Sequence, residues 1–98
     1  MPRISRHKDR ARTGHLCSPS APVNASQSTV FANGKRVLVR GNKLAKHFIK
    51  FDDYCISHSA KLKGSSSSVF VGNIGVGRKG DSADKGAMKG ASPDVFAG

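Results

Sequence analysis

Residues 25–42 read ASQSTVFANGKRVLVRGN and align without a gap onto residues 64–81, GSSSSVFVGNIGVGRKGD. Val30 falls on Val69 and Gly41 on Gly80, an offset of 39 residues. A third copy starts at Gly90 as GASPDVFAG and stops at Gly98, while its missing half matches ISRHKD, Ile4 to Asp9, at the opposite end of the chain. Two half-repeats at the two ends sum to one unit. This predicts a closed ring of three units, in which an N-terminal strand pairs with a C-terminal one. Closure of this kind removes exposed sheet edges and ties down both ends.

Each unit reads as a small β-hairpin. Asn33-Gly34 stands between two strand-like runs, the signature of a type I′ turn, and Gly72-Asn73 occupies the corresponding place in the second unit. The Ser-rich stretches before each Val-Phe pair suit tight turns into the strand. No segment carries a sustained 3.6-residue period with caps, so little helix is expected. The expected fold class is all-β: a small pseudo-threefold body of three hairpin repeats in one domain, residues 1–98. Phe31, Phe70 and Phe96 recur at one position per unit and are expected to pack together as core around the axis.

The loops between units carry the chemistry. His15 lies six residues beyond Asp9 and His47 five beyond Asn42, so both sit in loops that threefold symmetry brings to one end. His58 closes the longer of these loops, three residues after Cys55, and a C-x-x-H spacing lets one turn offer sulfur and nitrogen to one ion. The expected metal ligands are therefore His15, His47, Cys55 and His58. Three imidazoles and a thiolate suit tetrahedral Zn²⁺, with iron the second choice, and four protein donors make a structural site. Cys17, two residues after His15, is the rival sulfur, and geometry alone leaves it open. His7 belongs to a strand-like half-repeat and is expected to be exposed, outside the site.

Composition explains why such a site would matter. With 98 residues, 37% apolar content and no Trp, a hydrophobic core alone is hard pressed, and a metal, a disulfide or a partner has to help. The opening MPRISRHKDRAR is basic and no apolar run follows it, so no export signal is expected. A reducing interior then favours cysteine as ligand over cysteine as bridge. The net charge of +11 is concentrated in residues 1–50, where eleven Lys and Arg face Asp9 alone. That bias favours anionic surfaces without choosing among them. A basic zinc module for nucleic acid is the main competing class, but no amphipathic recognition helix or RNA-binding sheet signature accompanies the charge. Gly75 to Gly80, GVGRKG, matches G-x-G-x-x-G, yet no βαβ unit surrounds it, and a closed metal site leaves no open position for catalysis. The chain is not expected to be an enzyme or to have a small-molecule substrate.

The repeated VF-x-NG…RxGD pattern, the GH after the first unit, the H…HS…KGSSSSVF middle and the closing GASPDVFAG resemble the PAAR-repeat family, over essentially the whole chain. The compact form and the SPDVFAG ending are most similar to spike-tip proteins of T-even-like contractile-tailed phages. The resemblance implies a cone with a metal near its apex, seated by its base on a trimeric β-helical spike, one tip chain per trimer. It also implies a virion protein that helps pierce the bacterial outer membrane, or the equivalent tip of a type VI secretion spike, and no specific nucleic acid. The family holds its metal with three His and one Cys, and His15, His47 and His58 match its histidine positions. Its cysteine lies in the loop after the last GD. Here that loop reads GDSADKGA, with Lys85 about where the sulfur belongs, so the resemblance leaves the fourth ligand to Cys55 or Cys17.

Overall fold

A computed structural model of residues 1–98 shows ten short strands and no helix. They pair as five two-stranded antiparallel hairpins: β1 (Arg10–Arg12) with β2 (Ser20–Pro22), β3 (Phe31–Ala32) with β4 (Lys35–Arg36), β5 (His47–Phe51) with β6 (Tyr54–His58), β7 (Phe70–Val71) with β8 (Ile74–Gly75), and β9 (Ser82–Ala83) with β10 (Gly86–Ala87). The body is elongated, 42 × 23 × 21 Å.

The ring closes as the repeat requires. Ile4 donates its N–H to Val95 at 2.8 Å, as Val37 does to Val30 and Val76 to Val69, both at 3.0 Å. Arg3 bridges Phe96, which completes the third hairpin from the two chain ends. Around the axis, the Ser5 N–H donates to the Gly77 carbonyl, Gly77 to Leu38, and Leu38 back to Ser5, at 2.9, 2.8 and 3.0 Å. Three equivalent bridges surround this triangle: Ile4 with Arg78, Val37 with Arg6, and Val76 with Val39. Each unit then turns through a left-handed residue, Lys8, Gly41 or Gly80. The turn is capped by Asp9, Asn42 or Asp81, whose side chains accept the N–H of Arg6, Val39 and Arg78 at 2.7–2.8 Å. Where the unit starts with Arg the cap is Asp and the two form an ion pair; where it starts with Val39 the cap is the neutral Asn42.

Two apolar layers fill the body. The first contains Ile4, Val37 and Val76 with Ala32 and Ala97, and the second contains Ala11, Leu44 and Ala83 with Val23, Leu38, Leu62 and Met88. A second set of cyclic bridges, Ala11 with Met88, Leu44 with Val23 and Ala83 with Leu62, encloses the second layer.

Phe31, Phe70 and Phe96 are not core. They are 55%, 56% and 47% exposed, and the next residue of each unit, Ala32, Val71 or Ala97, turns inward instead. Strand alternation forces this choice, because side chains of adjacent residues leave on opposite faces. Three small side chains fit beside the axis where three benzyl groups would overfill it. His7 is half-buried rather than exposed: its Nδ1 accepts the Ala25 N–H at 2.9 Å. Burial, then the nearby Arg36 and Lys8, hold its pKa below the ordinary value.

Close backbone packing makes one glycine indispensable. A β-carbon on Gly86 would overlap the Arg12 carbonyl, which belongs to backbone and cannot rotate away. Gly86→Ala should therefore destabilise the chain by about 1–3 kcal/mol in denaturant titration. Unchanged unfolding would show that β1 and β10 are not in such close apposition.

Candidate metal centre

Beyond the second layer, four side chains from three parts of the chain converge. His15 comes from the loop after β1, which Thr13 braces: its N–H donates to Pro19, its hydroxyl bonds the Ser18 carbonyl, and its Oγ1 accepts the His15 N–H. His47 opens β5 and His58 ends β6, and the register pairs them directly, so both imidazoles leave the same face of that hairpin. Asp84 sits in the turn between β9 and β10 with φ of 53°, a left-handed conformation that aspartate tolerates better than most residues.

The three ring centroids lie 5.0–5.8 Å apart. Asp84 Oδ2 is 2.9 Å from His15 Nε2 and 2.8 Å from His47 Nε2, and Oδ1 is 3.3 Å from His58 Nε2. One donor atom from each of the four residues lies within 4.8 Å of every other, a spacing that could hold a metal ion. Two further observations fit an ion. The buried Nε2 of His15 has no hydrogen-bond partner, although it lies 2.9 Å from Asp84 Oδ2. His47 Nδ1 lies 2.9 Å from the Ala45 carbonyl; donation there places the lone pair on Nε2, the atom that faces the cluster. Burial acts to raise the pKa of Asp84, but the surrounding imidazoles of His47, His15 and His58 outweigh it and hold the carboxyl below its ordinary range.

The structure thus brings together three of the four expected ligands, His15, His47 and His58. Cys55 is not the fourth. It is bonded to Cys17, with the two Cα atoms 6.0 Å apart, and no free cysteine remains. The two rival sulfurs are partners, and the expectation of reduced thiols fails with them. The fourth donor is Asp84, one residue before Lys85, the residue that the family resemblance placed at the missing ligand.

No protein-family model matches the chain, and no curated protein matches its sequence.

Proposed function

We propose that the chain is the structural tip of a PAAR-type spike, capping a trimeric β-helical protein of a contractile phage-tail baseplate and helping it pierce the bacterial outer membrane. The observation that carries this reading is the ring of Phe31, Phe70 and Phe96, exposed by about half around a threefold axis. Val30 and Ile74, 41% and 39% exposed, extend it. A monomer seldom leaves a symmetric aromatic ring open to water, and threefold symmetry suits the end of a trimer. The histidine cluster lies at the opposite end of the body, where an ion would tie the loop after β1, β5–β6 and the β9–β10 turn against load.

The ion we favour is zinc, held by His15, His47, His58 and Asp84, with a structural role because all four donors come from the chain. Replacing the expected thiolate by a carboxylate makes the donor set harder, which narrows the preference for zinc over iron. The tip would travel in the virion, and a type VI secretion spike presents the same kind of threefold end.

The test is binding of the full chain to trimeric β-helical spike fragments, one from a phage baseplate and one from a type VI system, read by native mass spectrometry. One chain per trimer is expected on the phage spike. The triple variant Phe31→Ser, Phe70→Ser, Phe96→Ser should bind at least roughly a hundredfold more weakly, given the apolar area removed, and should melt like the parent. Undiminished binding of that variant would refute the ring as the docking face.

A further inference from the structure

The β5–β6 hairpin is a ribbon that is buried only at its root and exposed on both faces beyond it. Its register places Phe48 opposite Ser57 and Lys50 opposite Cys55 on one side, where Phe48 is 48% exposed, and the ribbon is anchored to the loop after β1 by the Cys55–Cys17 disulfide and by a 3.0 Å hydrogen bond from the Phe48 backbone N–H to Ser18 Oγ. The other side carries three rungs in succession, His47 with His58, Ile49 with Ile56, and Phe51 with Tyr54. The histidine rung is held in the Asp84 cluster. Past it the face is apolar and uncovered: Ile56 is 43%, Phe51 62% and Tyr54 72% exposed.

The surroundings are cationic. Arg12, Lys46, Lys50, Lys63 and Lys85 are all exposed near the root and edges of this ribbon, and none takes part in a salt bridge. The acids on the ribbon are Asp52 and Asp53, both in the turn at its tip. An acidic turn opposes end-on entry into hydrocarbon, whereas an apolar face flanked by lysines can lie flat. Aromatic side chains then occupy the headgroup boundary while lysine stems reach back to phosphate.

We propose that the face of β5–β6 carrying Ile56, Phe51 and Tyr54 binds the surface of an anionic lipid bilayer, lying in the interface with these three side chains inserted and the lysines on headgroup phosphate. This rests on the ribbon's own geometry and does not depend on the identity of whatever covers the phenylalanine ring at the other end.

The chain has one tyrosine and no tryptophan, so Tyr54→Trp supplies a single reporter at this face. With phosphatidylcholine vesicles containing phosphatidylglycerol, its emission should shift to the blue and be quenched by lipids brominated high on the acyl chain. Phe51→Ser with Ile56→Ser should lower vesicle partitioning roughly thirtyfold or more, and both sites are exposed enough to leave folding intact. Lys46→Gln with Lys50→Gln should remove the preference for phosphatidylglycerol but leave the blue shift on saturating vesicles. Absence of vesicle binding overturns the proposal. So does binding with unshifted emission, which would mean attraction by charge alone. A concentration-dependent dimer that Phe51→Ser abolishes would overturn it too, because a second copy would then be the occupant. Spike binding, read separately at the other end, is unaffected by any of these results.

Discussion

Asp84→Asn should abolish metal binding at the histidine cluster and lower the melting temperature by roughly 16–32 °C. The substitution keeps the shape of the side chain and removes the single negative charge among three imidazoles. Binding energy at a site that exists only in the folded chain adds directly to stability, about 4 kcal/mol when free metal exceeds the dissociation constant a thousandfold. For a domain of this size each kcal/mol shifts the midpoint by about 4–8 °C, which gives the range above. Elemental analysis of the untagged parent should find about one ion per chain, the stoichiometry of a single four-donor centre. A chelator should bring the parent down to the variant and leave the variant where it is. Parent protein purified without stoichiometric metal, or a variant that keeps its ion, would remove the centre from this account. The pH dependence has a defined sign. The folded pKa of Asp84 lies below its ordinary 3.8, so its contribution is present above that value and is lost as pH falls through the lowered one.

The closed ring was readable because a repeat of fixed length, split across the two ends, has few other physical solutions, and the bonds from Ile4 to Val95 and from Ala97 to Pro2 realise it. The three histidines were readable for the same reason: symmetry carries equivalent loops to one place. Asp84 was harder to see. Carboxylates are common on surfaces, and nothing in GDSADKGA marks Asp84 over Asp81, which caps a turn instead. What singles it out is a left-handed turn that directs it into the cluster, a property of the backbone rather than of composition. The cysteines misled because their separation of 38 residues says nothing about distance once β5–β6 folds back along the loop after β1. The phenylalanines misled because recurrence at one position per unit fits a core and a symmetric surface equally. Only the width of the space beside the axis decides between them, and it admits Ala32 and Ala97.

Removing the disulfide, by Cys17→Ser with Cys55→Ser, is the second change with a large expected effect. The bridge closes a loop spanning 38 residues, which limits the unfolded chain and is worth about 3–4 kcal/mol on the loop-closure scale. The midpoint should therefore fall by roughly 12–32 °C even with metal removed by chelator from both proteins. The bridge also acts on the metal centre. Cys17 lies two residues from His15 and Cys55 three from His58, so it fixes the spacing of two donors before any ion arrives. In the metal-loaded state the serine variant should surrender its ion to a competing chelator faster than the parent. With the bridge gone, the ribbon keeps only the Phe48–Ser18 bond to its neighbouring loop, and proteolysis should cut first between Phe48 and Ser57. The two effects separate cleanly. Equal stability without metal but faster metal loss would make the bridge a device for positioning His15 and His58. Lower stability with unchanged metal release would make it a staple for the chain alone. A variant matching the parent in both would mean that the hairpin is held by its own register and the histidine rung at its root.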